Sequence, residues 1–259
     1  MKQLPPIIVC ALALTAGVSA TQAQCVRQSA EHTVALVELY TSEGCNSCPP
    51  ADRWLGGIGA THAPNSVIPL ALHVNYWDYI GWKDNFADAR FSERQRVLTR
   101  LANGKVVYTP GVFLNLREFR GWDSETKWKQ AVAAINARPA RASIRIALTP
   151  HADGRLGVTA TFQVKPAVKA VRPQAYVAVY ENALTTDVKA GENRGVLLRH
   201  DFVARRWIGP IEFSGSAAEL TEKIVIEPAW RRANLGVAAF VQEAGSLDVL
   251  QATALKVCG

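Results

Sequence analysis

Cys45 and Cys48, the ends of Cys45-Asn46-Ser47-Cys48, are the residues whose type and spacing can do chemistry. A thiolate at a helix N-terminus faces unpaired N–H groups and the positive end of the helix dipole, which lowers its pKa and makes it a better attacking and leaving group. Cys45 is placed to be that thiol. Cys48, about one turn on, is placed as the resolving partner that attacks a mixed disulfide from within the helix. A static bridge, or half of a metal site, would use the same two residues. His73, with Asp78 nearby, adds an imidazole that can shuttle protons, bind copper or zinc, or pack in a core. Met1 is the sole methionine, so the thioether ligands that suit Cu(I) are missing and no metal is assigned.

The elements that must position this pair are legible on either side. Residues 33–41 read as a buried strand (Val34, Leu36, Val37, Leu39, Tyr40) running straight into Ser42-Glu43-Gly44-Cys45. Pro49 and Pro50 fit only the first turn of a helix, so a helix starts at the pair; it continues through Trp54, Leu55 and Ile58, and Gly56, Gly57 and Gly59 read as its stop. A second strand is expected over 67–74, helices over 90–101 and 123–135, and a strand over 112–116 after Thr109-Pro110. Past Ala137-Arg138-Pro139 strands dominate: 143–149, 156–164, 175–180, 196–207, 220–226, 235–241 and 247–257, separated by turn signals such as Asp153-Gly154.

Composition is ordinary for a globular chain: 259 residues, 49% hydrophobic, 20% charged, net charge +7. Lys2, the apolar run 7–18 and the small residues near Ala23 read as a signal peptide over 1–23, too short to span a membrane. Export to the periplasm or beyond permits disulfides. Cys10 leaves with the leader, and once Cys45 and Cys48 are taken as a local pair, Cys25 and Cys258 remain to form a structural bridge. Arg205-Arg206-Trp207 and Trp230-Arg231-Arg232 mix charge and aromatics as nucleic-acid surfaces do, but export argues against that partner, and basic residues guarding a strand edge explain them.

Val37-Glu38-Leu39-Tyr40, the Cys-x-x-Cys helix start and Thr109-Pro110 before a strand together resemble the thioredoxin superfamily over residues 31–138. That resemblance implies a cis Thr109–Pro110 bond beside Cys45, with Pro110 shaping the substrate edge. It also implies a buried carboxylate that serves the resolving thiol as a base; Glu38 takes that place if the loop 41–44 absorbs one extra residue. Gly44 where an aromatic is usual, Asn46-Ser47 in place of Gly-Pro, and the two prolines after the pair depart from the pattern and leave the reduction potential open. The longer run 39–52, with 73–78 and 81–84, is similar to the uncharacterised secreted bacterial family called domain of unknown function 1223, which has no established substrate.

The expected architecture is a signal peptide (1–23), an α/β thioredoxin-like N-terminal domain (24–139) and an all-β, sandwich-like C-terminal domain (140–259). The expected function is thiol–disulfide exchange on exported protein thiols or disulfides, or on a small thiol, with no cofactor, no nucleic acid and no membrane span. Cys45, Cys48, Glu38 and Pro110 would carry it, and Thr109, Tyr76 and Trp77 would line a peptide groove. The alternatives are a binding module in which Cys45–Cys48 is a structural disulfide, and a periplasmic copper- or zinc-binding protein.

Overall fold

The computed structural model describes residues 25–166 and 172–258; the leader over 1–23 lies outside them. In chain order the first half forms β1 (Cys25–Gln28), β2 (Ala35–Thr41), α1 (Pro49–Thr61), β3 (Val67–His73), α2 (Ala89–Leu101), β4 (Gly111–Leu114), β5 (Arg117–Glu118) and α3 (Glu125–Asn136). The second half forms β6 (Ala142–Pro150), β7 (Leu156–Val164), β8 (Pro173–Glu181), β9 (Leu184–Asp187), β10 (Leu197–His200), β11 (Val203–Glu212), β12 (Ala217–Ile224), β13 (Leu235–Glu243) and β14 (Val249–Lys256). No helix among the described residues is long and apolar enough to cross a membrane.

Local rules place the helices. Cys48 is the N-cap of α1 and the two prolines occupy its first positions; Asp88 and Ser124 cap α2 and α3 by accepting from Arg90 N–H and Lys127 N–H. The glycines of α1 do not stop it. They let another part of the chain approach: a Cβ at Gly56 would lie 2.9 Å from Asp201 Oδ2, and one at Gly59 would lie 2.7 Å from the Phe202 ring. That turn also divides the single strand expected over 196–207. Phe202 takes a left-handed φ of 57°, and the turn is held by Asp201 Oδ1 accepting from Ala183 N–H and Asn182 Oδ1 accepting from Phe202 N–H.

Strand pairing corrects the expected fold class. The chain is mostly β, with three α-helices against fourteen strands among the described residues, and it is not an α/β thioredoxin-like unit followed by a separate sandwich. One eight-stranded sheet runs β14-β13-β8-β11-β3-β2-β4-β5 through both halves, and a four-stranded sheet runs β1-β6-β7-β12. The physical reason lies at β3, which is buried along its whole length. Its free edge would leave backbone groups without partners in the core. β11 supplies them: Val203 opposes Ala71 in parallel, and Ala71 N–H donates to Phe202 O at 2.8 Å.

Three apolar clusters among the described residues follow from this topology. Alternate residues of β6 and β7 (Ile144, Ile146, Leu148; Val158, Ala160, Phe162) meet Val177, Val179, Val237 and Ala239, sandwiching the two sheets. On the other face of β8 and β13, Tyr176, Tyr180 and Phe240 continue without interruption into Leu36, Tyr40, Ile68, Leu70 and α2. Ala35, Val37 and Leu39 turn to the opposite side of β2 and pack on α1 and α3.

Glu38 sits among the second cluster with none of its side chain exposed. Arg94 of α2 donates to its Oε1 from Nη2 at 2.7 Å and Nε at 3.0 Å, and Tyr40 O–H donates to Oε2 at 2.9 Å. The guanidinium also donates to Gln242 Oε1 at 3.0 Å and lies 5.2–5.3 Å from the Tyr176, Trp207 and Phe240 rings. Removing one member of a buried ion pair leaves an uncompensated charge, at a cost of about 3–5 kcal/mol. Arg94→Met is therefore expected to lower the urea-unfolding free energy by about that amount, with Glu38→Gln added to it restoring a large part. A loss below about 1 kcal/mol in the single variant would contradict this role.

Candidate functional site

β2 delivers the chain to Ser42-Glu43-Gly44, and Cys45 and Cys48 close a disulfide across the start of α1 with their Cα atoms 5.5 Å apart. Both cysteines are 0% exposed, although Asn46 and Ser47 between them reach solvent. Ser47 Oγ lies 3.3 Å from Cys45 Sγ. Gly44 is closely covered: a Cβ there would come within 3.3 Å of both Trp77 Cβ and Ile80 Cδ1. Trp77 Nε1–H donates to Thr109 Oγ1 at 2.6 Å. The Thr109–Pro110 bond is cis, and because Gly111 opposes Tyr40 in the antiparallel ladder, the register brings Pro110 level with Thr41, the last residue of β2, and Thr109 one step beyond.

A strap from the second half crosses the disulfide. The connection between β9 and β10 (188–196) folds back on itself, and buried Asn193 donates from Nδ2 to Glu43 O at 2.8 Å and Cys45 O at 3.0 Å. Beside it Glu192 Oε2 accepts from Asn46 N–H at 3.1 Å. Gly191, with φ of 72°, packs so closely on Trp82 that a Cβ would lie 3.2 Å from Trp82 Cβ.

Behind the pair lies a buried cluster of ionisable groups: Glu43, Asp52, His73, Asp84 and His200. It forms where β2 and β3 end side by side, with Thr41 opposite His73 in parallel register, on the sheet face that α1 covers. His73 Nδ1 and Asp84 Oδ2 are 2.7 Å apart. Asp84 also accepts from Glu43 N–H and Phe86 N–H at 2.9 and 2.8 Å, and Trp82 Nε1–H donates to Glu43 Oε2 at 2.8 Å. His200 Nε2 lies 3.4 Å from Glu43 Oε1 and its Nδ1 lies 3.9 Å from Asp52 Oδ2. The two imidazoles meet edge to face at 5.0 Å, with the Phe86 ring 5.3 and 5.8 Å from them.

The electrostatics of this cluster follow from burial and charge count. Burial would depress the His73 imidazole, but Asp84, Asp52 and Glu43 outweigh it and hold its pKa up. Burial would raise Asp84, but His73 and the backbone N–H donors hold it below the usual carboxylate range. Asp52 is raised by burial, against the pull of His200 and His73. Five atoms, Glu43 Oε1, Asp52 Oδ1, His73 Nε2 and both His200 ring nitrogens, have no hydrogen-bond partner, and each such buried group costs about 1–3 kcal/mol. Three carboxylates face two imidazoles, so even with both rings charged one carboxyl must keep its proton for the cluster to be neutral. Among the described residues no three His, Cys, Asp or Glu side chains are placed to hold a metal ion.

Of the residues singled out from sequence, Cys45, Cys48, Trp77, Thr109 and Pro110 come together. Tyr76 turns toward α2, its O–H donating to Gln95 Oε1 at 3.0 Å. Glu38 is not with the pair: it shares the α2 face of β2 with Leu36 and Tyr40 and is taken by Arg94. Asp78 accepts from Asp84 N–H at 3.3 Å, at the margin of the cluster. Cys25 and Cys258 are bonded, with Cα atoms 6.3 Å apart, beside the apolar sandwich core. Glu43, Asp52, Asp84, Asn193 and His200 escaped sequence reasoning. Asp52 had a signal, since four residues past Cys48 it falls on the inward face with Leu55; His200 had none, because only β10 folding against α1 brings it near.

Residues 36–242, which hold every member of the pair, strap and cluster, match the family model described as Protein of unknown function (DUF1223). The fold is similar to protein AGR_C_4864 from Agrobacterium tumefaciens, with a TM-score of 0.63 and 24% identity, covering 89% of this chain and 97% of that one. It is also similar to HBP35 of Porphyromonas gingivalis, with a TM-score of 0.64 and 13% identity over 88% of this chain and 76% of that one. At these identities the likeness concerns fold alone. No curated protein matches. By the extent of the family match, the chain belongs to the DUF1223 family.

Proposed function

We propose that this protein performs thiol–disulfide exchange through Cys45 and Cys48, acting on protein thiols or disulfides, or on a small thiol, in an oxidising compartment outside the cytoplasm. The observation that carries this reading is the buried ionisable cluster behind the pair. A bridge that only staples a helix start needs no such surroundings; the Cys25–Cys258 bridge lies against apolar packing. Opening a disulfide creates thiolates and consumes protons, which is the chemistry that buried carboxyls and imidazoles serve. Two disulfides in one chain, with a leader expected over 1–23, fit export.

In this reading Cys45, with Ser47 Oγ beside it, is the attacking thiol and Cys48, at the N-cap of α1, resolves. Pro110, Thr109 and Trp77 form the rim that an incoming substrate meets. The complete burial of both cysteines favours a second reading, a structural staple, and redox titration separates the two. With Cys25–Cys258 intact, the exchange reading expects the Cys45–Cys48 couple to equilibrate with glutathione or dithiothreitol between about −120 and −270 mV without denaturant. A potential below about −300 mV, or reduction only on unfolding, would assign it to the staple.

The strap supplies a further prediction. Asn193→Ala removes two hydrogen bonds that hold the cover, each contributing about 0.5–1.5 kcal/mol net. It is expected to raise the second-order rate of reduction by dithiothreitol about tenfold at neutral pH. An unchanged rate, measured by alkylation of the freed thiols, would mean that attack reaches Cys45 by a path the strap does not close.

A further inference from the structure

Nothing in the exchange reading says where the proton comes from when the disulfide opens, and both sulfurs are closed off from solvent. We propose that the Asp52 carboxyl gives Cys48 its proton as the bridge opens, and that His200, carried on β10 from the second half of the chain, is the positioning residue that holds and renews that proton. The proposal rests on the exchange reading.

Position within α1 makes Asp52 the neighbour of Cys48. The N–H groups of Ala51 and Asp52 both donate to Cys48 O, at 2.9 and 3.1 Å, so Asp52 stands one helical turn on, on the same face. Its carboxyl is buried, and its Oδ1 has no partner. The groups that face it come from every surrounding element: Glu43 from the loop before the pair, His73 from β3, Asp84 from the loop after β3, and His200 from β10. Asp201 lies farther along, over Gly56. Arg205 lies 4.9 Å from the Phe86 ring, which itself meets His73 and His200, and its guanidinium is 3.6 Å from Glu181 Oε2. His200 alone reaches both Asp52 and Glu43, at 3.9 and 3.4 Å. Burial keeps the Asp52 carboxyl protonated above the ordinary carboxylate range, while the charges of His200 and His73 keep that affinity from rising further.

The step balances. A reductant thiolate forms a bond to Cys45 Sγ, the Cys45–Cys48 bond breaks, and its electron pair goes to Cys48 Sγ. That sulfur takes the Asp52 proton, leaving a carboxylate beside His200. A second reductant thiolate then displaces Cys45 from the mixed disulfide. Two reductant thiols become one disulfide, and the two protons they release to solvent on ionising return to the protein: one goes to the displaced Cys45 thiolate, and the other goes through His200 to Asp52, so the pair ends as a dithiol. In the reverse direction the Asp52 carboxylate withdraws the proton from Cys48.

The test is reduction of the whole chain by dithiothreitol between pH 5 and 9, with each rate divided by the dithiothreitol thiolate concentration. For the unaltered protein the corrected rate constant is expected to fall through one inflection as pH rises, because the donor loses its proton. Asp52→Asn is expected to lower it about 100-fold on the acid side and to flatten the profile. His200→Gln removes a charge that lowers the proton affinity of Asp52, so the inflection is expected to move to higher pH. A staple or packing role would change folding without moving that inflection, and His200→Gln reads it even if Asp52→Asn fails to fold. The same inflection in His200→Gln as in the unaltered protein, or an unaltered rate and profile in Asp52→Asn, overturns the proposal while exchange stands. An unaltered protein that no reductant opens without denaturant overturns both.

Discussion

The ion pair between Glu38 and Arg94 is the constraint on which the rest of the molecule depends. Glu38 sits in the middle of β2, inside the sheet, where an unpaired carboxylate would be expelled or protonated. Its partner comes from α2, but the environment that makes Arg94 tolerable comes from the other half of the chain: Gln242, and the Tyr176, Trp207 and Phe240 rings. A guanidinium held against aromatic faces and paired with a carboxylate regains part of the solvation it lost. The first half therefore cannot satisfy its own central strand. It needs β8, β11 and β13 alongside, and the continuous eight-stranded sheet is the geometric consequence.

The same sheet separates two kinds of buried polarity by the period-two alternation of its strands. Glu38 points to the α2 side and is fully engaged by Arg94 and Tyr40. Thr41 and His73, at the ends of β2 and β3, point to the α1 side, where Glu43, Asp52, Asp84 and His200 gather. One set is closed, with charge matched to charge; the other, Thr41 Oγ1 included, keeps six atoms without partners. Unmatched groups in a core cost stability, and here they gather behind one disulfide and not the other.

Much of this was legible in the residues. The two prolines after Cys48 place the start of α1, the alternation of β6 and β7 gives one sheet of the sandwich, and removing the local Cys45–Cys48 pair leaves Cys25 and Cys258 to each other. What was illegible depended on contacts between segments distant in sequence. Gly56 and Gly59 have the signature of a helix stop but serve close approach by Asp201 and Phe202, which no local rule reveals. The left-handed turn at Phe202 divides a run that patterning reads as one strand. The pairing of β11 with β3 begins at Val203, and nothing in either strand's pattern announces it. Glu38 was expected to serve the pair only through the resemblance to thioredoxins, with the loop 41–44 absorbing one extra residue; the strand's alternation sends it to the other face.

These same long-range contacts tie the second half of the chain to the cysteine pair. An appended domain would leave the cysteine pair complete without it. Here the β9–β10 hairpin lies on α1 at both levels of the site: Asn193 and Glu192 cover the disulfide from outside, and His200, a few residues on, enters the buried cluster beneath. Both therefore belong to one short hairpin, followed by the turn at Asp201 and Phe202 that packs on the helix Cys48 begins. Asn193 and His200 thus stand on the same hairpin, one bonded to the Cys45 backbone and the other set between Glu43 and Asp52. The pair and the buried cluster are therefore both completed by one hairpin from the far half of the chain.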